Sequence, residues 1–334
     1  MNNRNVFIDF LKYFAAVGII FVHSKFPGVA GSVISTVFGS GVCFFFLVSG
    51  YSCYGKKDEM IDKIWKRFKR NGLILLFTAA AYFVFAFLMR YFNNIGFEGF
   101  IAKLRNPKTY LMIAVFGDFD FIFGIPLWFM VDLLYCYLIF ILIVKLDLKK
   151  TLVIAIVPLL ILKICIEIYV KSMPELSWHW GNSALLGALP FMLLGYLIAC
   201  YKDKIRLSNL SLLIFTAVSL VLICLTVIFR IGGFVFAEPF CILLATSVFL
   251  FSVNNPDVNC NERIAKLGKE DSLYIYLFHY MIALFITFYV NRIFGNTMLI
   301  RCILPVFNTV IVIILARLIA LTVKSITARK SIKQ

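Results

Sequence analysis

The sequence predicts an all-α, polytopic integral membrane bundle of about ten transmembrane helices, with both termini in the cytoplasm. Three observations lead there. The first is composition: 62% of the 334 residues are apolar or aromatic and only 15% are charged, where an average soluble domain carries about 25% charged residues. One soluble core cannot absorb that much apolar surface, so lipid must cover much of it. The second is that the apolar residues come in continuous runs rather than at amphipathic spacing. About 20 residues, each rising about 1.5 Å, carry a helix across the hydrocarbon layer, and such runs read as helices rather than barrel strands. The third is that Lys and Arg gather on one side of these runs.

The runs lie at 6–24, 33–54, 73–92, 127–144, 151–170, 183–201, 209–229, 234–253, 272–290 and 299–322. With both termini inside, the inner segments hold more than twice as many basic residues as the outer ones, seven of them in 55–72 alone. That is the positive-inside pattern, and it requires the even number of spans that ten satisfies. The stretch 110–126, YLMIAVFGDFDFIFGIP, is apolar but interrupted by Gly, Asp and Pro. It reads as re-entrant or interfacial rather than spanning. Asp9 and Lys12 break the first apolar stretch, which favours an uncleaved first helix over a signal peptide. The whole chain, 1–334, reads as a single membrane-embedded domain with no appended soluble domain.

A formal net charge of +16 would suggest a nucleic-acid partner in a soluble protein. Here it reflects inner loops attracted to anionic lipid and ligand phosphates, and no nucleic acid is expected. Nine cysteines, from Cys43 to Cys302, form no C-x-x-C pair. Most lie in apolar runs and pack as small hydrophobes, so no metal is expected.

Ionisable residues inside spans are costly and, when retained, mark sites or pathways. The first helix carries Asp9, Lys12 and His23. Lys12 and His23, three turns apart, share a face at roughly 16 Å along the axis, and Asp9 is placed to pair with Lys12. In the ninth span, Ser272, Tyr276 and His279 recur at three- and four-residue spacing on one face. Ser49-Gly50 in the second span permits close backbone approach, by another helix or by a ligand. In the basic inner loop, Arg67 and Arg70 lie one turn apart, and paired guanidiniums grip phosphate oxygens. Trp128, after Pro126, opens the fourth span where an interfacial aromatic belt belongs. Lys163 and Glu167 are spaced to neutralise each other, whereas Glu238, Asp132 and Arg317 are buried candidates with no evident partner.

Taken in order, these elements resemble acyltransferase family 3, the bacterial membrane acyltransferases, many of which O-acetylate surface polysaccharides. The matching residues are Arg4 and Asp9 with a basic residue eleven positions before His23; Phe45-Phe46-x-x-Ser49-Gly50; Arg67-x-x-Arg70; Pro126-x-Trp128; and Asp271-Ser272, Tyr276 and His279. One departure is Lys12, where the family commonly has Arg; the charge is kept and the planar fork is lost. The resemblance implies an acyl-CoA donor, usually acetyl-CoA, in the cytoplasm and a hydroxyl acceptor on an outer glycan or glycolipid. It places the protein in the bacterial inner membrane as a multi-pass protein. On this reading His23, Lys12 and Asp9 are catalytic: His23 is general base or transient acyl carrier, while Lys12 orients the thioester or stabilises developing charge. Arg67, Arg70, Ser49 and Gly50 bind acetyl-CoA, and Trp128, Ser272, Tyr276 and His279 bind substrate. Homo-oligomerisation is left open.

Two other classes compete. A membrane glycosyltransferase using a lipid-linked sugar would use Asp118-x-Asp120 as a metal site. A transporter or flippase for a glycan intermediate would show similar polar stripes in its helices. The ordered set of elements weighs against both.

Overall fold

The computed structural model describes residues 5–172, 183–205, 207–231 and 234–332; Arg4 lies outside them. Among the described residues there are helices and no strands: α1 (Val6–His23), α2 (Gly28–Tyr51), α3 (Lys57–Phe92), α4 (Glu98–Arg105), α5 (Pro107–Phe116), α6 (Trp128–Lys145), α7 (Lys149–Ser172), α8 (Leu189–Tyr201), α9 (Asn209–Ile228), α10 (Phe234–Asn254), α11 (Glu262–Glu270), α12 (Ser272–Phe294) and α13 (Met298–Ile332). Nine stretches among the described residues are long and apolar enough to cross a membrane. They are α1, α2, α3, α9, α12, α6 with the 3-10 turn before it, α8 with a π-helical turn before it, and the apolar parts of α10 and α13. The expected span at 151–170 is helical, within α7.

Local chemistry sets the helix ends. Asn5 caps α1 by accepting from the Ile8 amide at 2.9 Å, and Ser208 caps α9 through the Ser211 amide at 3.0 Å, each satisfying an orphan donor. The 36 residues of α3 reach about 54 Å, well beyond a hydrocarbon core of about 30 Å. Its charged first turns therefore project past the apolar layer. The stretch 110–126 holds no helix long enough to cross. It comprises the end of α5, whose ten residues rise only about 15 Å, and two 3-10 turns, Asp120–Ile122 and Ile125–Leu127.

The chain divides into two compact units, Met1–Phe45 with Leu207–Gln334, and Phe46–Arg206. In the first, Ala16 and Ile20 of α1, Ile275 and Ile282 of α12, and Val312 and Ala316 of α13 form one buried cluster. Small residues at positions 16, 283 and 316 let these helices approach closely, as lipid-embedded helices require in place of a hydrophobic driving force. A second cluster joins Ile223 of α9 to Ala237, Cys241 and Leu244 of α10.

In the second unit, two glycines face each other across α2 and α8. A Cβ on Gly50 would lie 1.9 Å from the Met192 carbonyl oxygen, and one on Gly195 would lie 2.0 Å from that of Leu47. The backbones touch there, and no side chain fits between them. Elsewhere in this unit, the Arg90 guanidinium lies over the rings of Phe100 and Phe123, at 4.8 and 5.1 Å. These cation–π contacts tie the 93–126 segment to α3.

Candidate active site

The first unit brings together two of the chain's histidines. Helices α1 and α12 run in parallel. Asp271, at the start of α12, lies near enough to Tyr13 for its charge to act on the tyrosine hydroxyl. From that level, His279 lies about 12 Å up α12 and His23 about 15 Å up α1. Their rings meet with centroids 5.1 Å apart. Tyr280 stands edge-on to His23 at 5.2 Å, and Tyr276 lies 5.9 Å from His279, with Phe45 edge-on to Tyr276.

The two imidazoles differ in environment. His23, the last residue of α1, is exposed. His279 is fully buried, and its Nδ1 lies 2.5 Å from the Tyr276 carbonyl oxygen. A carbonyl only accepts, so Nδ1 carries the proton and Nε2 of the neutral ring presents a lone pair. Among the described residues that Nε2 is buried with no hydrogen-bond partner. The arrangement suits a proton acceptor. It does not suit His279 donating from Nε2 to an acyl carbonyl. Ser272 and Tyr276 are buried on the same face of α12.

At the other end of α1, Lys12 Nζ donates to Asp9 Oδ1 at 3.2 Å, both side chains half-buried. The expected pair therefore forms. Because α1 is one unbroken helix, Lys12 stays roughly 16 Å from His23 along the axis. Side chains of these lengths cannot bridge that gap, so Lys12 does not stabilise charge on a carbonyl that His23 also serves. Helix α11 crosses here so closely that a Cβ on Gly268 would lie 1.8 Å from the Asp9 carbonyl oxygen.

Arg317, read from sequence as partnerless, is paired. Its Nη1 donates to Glu270 Oε2 and Asp271 Oδ1, both at 2.9 Å, and Lys324 adds a bond to Glu270 at 3.1 Å. The Arg317 hydrogen bond, followed by that of Lys324, holds the Glu270 carboxyl below the usual range. Burial pushes Asp271 up, against the pull of Arg317. This clamp fixes the α11–α12 junction to α13.

In the second unit, Arg67 and Arg70 line one cavity of about 490 Å³ with Glu59, Asp62, Lys63 and Lys66. Four cations against two carboxylates make it attractive to anions. Arg67 Nη1 donates to Ser52 Oγ at 2.5 Å, which orients the guanidinium, and Arg70 Nε donates to Asn71 Oδ1 at 3.4 Å. The Ser49 carbonyl accepts from Ser52 Oγ at 2.9 Å, so Ser49 helps to seat the residue that holds Arg67. Gly50 is a correction: its open side is filled by the Met192 backbone, which is helix packing and leaves no room there for a donor. Trp128 packs on Phe46 and Phe129 at 6.5 Å each. The Asp118-x-Asp120 pair forms a turn, with the Asp120 amide donating to Asp118 Oδ1 at 3.0 Å. Lys163 donates to Glu167 at 2.5 Å, as its spacing suggested. Asp132 is fully buried, and both its carboxylate oxygens are without a hydrogen-bond partner among the described residues. Glu238 is buried and engaged within the fold.

Sequence reasoning missed Asn308. It is fully buried in α13, and its Nδ2 donates to Ser24 Oγ at 2.9 Å and to Thr287 Oγ1 at 3.2 Å. It thereby holds the residue that follows His23. The signal was available, as an amide within an apolar run is costly unless bonded.

A multi-pass helical membrane protein with a histidine pair between two of its helices is the class that this fold and site define. The acyltransferase-domain family matches residues 5–323, nearly the whole chain, and the chain belongs to that family. It is a membrane acyltransferase. No curated protein and no solved structure matched it.

Proposed function

We propose that the protein is an O-acetyltransferase of the bacterial inner membrane that moves an acetyl group from cytoplasmic acetyl-CoA to a hydroxyl of a cell-surface polysaccharide or its lipid-linked precursor. The observation that carries the reading is the exposed His23 imidazole beside His279, whose buried Nε2 has no hydrogen-bond partner among the described residues. A sugar hydroxyl is a poor nucleophile near neutral pH, and a positioned imidazole contributes about 10²–10⁴-fold. His23 takes the proton of the acceptor hydroxyl as its oxygen attacks the thioester carbonyl carbon. His279 accepts from the imidazolium or fixes its orientation. Collapse of the tetrahedral adduct breaks the carbon–sulfur bond, and the CoA thiolate leaves with the proton from His23. Arg67 and Arg70 hold the CoA phosphates, Lys12 steadies the donor, and Trp128, Ser272 and Tyr276 line the path of the substrates. The chain acts as a single membrane domain with its termini inside.

The test is transfer of radiolabel from acetyl-CoA to surface glycan in membranes bearing His23→Ala, with the protein level checked. Loss of at least about 100-fold is expected from removing the base; near-native transfer overturns the assignment. Arg67→Ala/Arg70→Ala should weaken acetyl-CoA binding in calorimetry, and unchanged affinity removes the phosphate role.

A further inference from the structure

A second polar cavity in the first unit has no part in the chemistry above. It measures about 720 Å³ and is lined by Lys25, Ser32, Ser35, Thr36, Thr226 and Arg230, with Val22 and small residues between them. That volume lies within the range that encloses a small organic ligand, about 300–1,000 Å³. It sits at the His23 end of α1, and Lys25 is close enough for its charge to act on the His23 imidazole.

Two cations enter this cavity without a counter-charge. Lys25 and Arg230 are exposed, and neither has an ion-pair partner among the described residues. Arg230 is also held at φ 54°, where the chain ends α9 with the Ile231 amide bonded to the Thr226 carbonyl at 3.0 Å. Glycine normally takes that left-handed position. An arginine held there against its backbone preference points to a use for its side chain.

The hydroxyls are polarised in one sense. Thr36 Oγ1 donates to the Ser32 carbonyl at 2.9 Å, and Thr226 Oγ1 donates to that of Leu222 at 2.6 Å. Their protons are committed inward, so they offer lone pairs to the cavity. Ser35 is 8% exposed and makes no hydrogen bond among the described residues. Its hydroxyl therefore keeps its donor and its lone pairs for whatever enters the cavity. Cations together with acceptor oxygens complement a molecule that carries an anion and several O–H donors.

We infer that this cavity binds a sugar bearing an anionic group, a phosphate or a carboxylate, as the acceptor side of the reaction, with Lys25 and Arg230 pairing the anion. This rests on the transferase reading for the word acceptor, and the binding itself is tested independently of it. Full-length protein in phosphatidylcholine nanodiscs is titrated with glucose 1-phosphate, glucuronic acid and uncharged methyl glucoside. At least one anionic sugar should bind ten-fold or more tightly than the uncharged one, and the stronger of the two identifies phosphate or carboxylate as the anion. Lys25→Gln/Arg230→Gln should remove that preference, and Lys25→Arg/Arg230→Lys should keep it, with acetyl-CoA affinity unchanged in both. Equal affinity for charged and uncharged sugars, no binding of any of the three, or a preference that survives neutralisation overturns the proposal. So does displacement of the sugar by phosphatidylglycerol in the disc, which would make the cavity a lipid-headgroup site. Native protein that binds the anionic sugar but not acetyl-CoA supports the cavity and overturns the transfer reading.

Discussion

Gly268→Ala isolates the contact that sets α1 against α12. The new Cβ would stand 1.8 Å from the Asp9 carbonyl oxygen and 3.0 Å from the Tyr13 amide nitrogen. Both are backbone atoms, which no rotamer change can move aside. Restoring an ordinary contact of 3.4 Å requires α11 and α1 to part by about 1.6 Å. Overpacking of this kind costs about 1–3 kcal/mol, offset by about 1 kcal/mol from the better helix propensity of alanine, so a net loss of up to about 2 kcal/mol is expected. The functional effect should be larger. Asp271 joins the end of α11 directly to α12, so moving α11 shifts His279 relative to His23. A misplacement of about 1 Å at a reacting centre costs as much as 10²-fold. Thermal unfolding in detergent and acetyl transfer in membranes read the two quantities. Gly72→Ala in α3 is the matched control, because a Cβ there meets nothing within 4 Å, and it should be neutral or stabilising. If Gly268→Ala behaves like Gly72→Ala in both assays, the register argument is wrong.

The α2–α8 contact predicts non-additivity. Gly50→Ala and Gly195→Ala should each cost about 1–3 kcal/mol in thermal or SDS unfolding, but the pair should cost clearly less than the sum, since either one separates the same backbones. Arg317→Gln leaves Asp271, whose side chain is 3% exposed, without its cation. A loss of about 2–3 kcal/mol is expected after discounting for the partly exposed guanidinium, and Arg317→Lys should restore part of it on the same melt. Asp132→Leu carries the opposite sign, because it removes a buried carboxyl that no group among the described residues satisfies. Thermal stability should rise by about 1–3 kcal/mol, and a fall would show that the carboxyl has an unseen partner.

How much of this was legible in the sequence depended on whether a feature is local. Each long apolar run announces its own helix, and length alone decides whether it crosses, which is why nine of the expected spans reappear among the described residues and 110–126 does not. The Asp9–Lys12 and Lys163–Glu167 pairs follow from helical spacing within one element. By contrast, the meeting of His23 with His279 depends on how α1 packs on α12, and no spacing rule spans that distance in the chain. Ser49-Gly50 illustrates the ambiguity most sharply. A small-residue pair reads the same whether a ligand or a helix fills it, and only Gly195, far along the chain, decides. Lys25 and Arg230 look like ordinary loop cations until the fold sets them around one cavity.

The rule that polar groups within the membrane mark function therefore needs a second criterion, namely whether the fold has already used their bonding capacity. Arg317 with Asp271, and Lys163 with Glu167, are consumed by each other, and their loss should be read first as a loss of stability. His279 Nε2 and both Asp132 carboxylate oxygens keep capacity that nothing in the described fold takes up. A buried acceptor left so costs about 1–3 kcal/mol, a cost that selection tolerates where a substrate or a proton in transit supplies the missing bond. On that criterion, His279 and Asp132 are the buried polar residues whose replacement should be read first against activity, and the paired residues those whose replacement should be read first against stability.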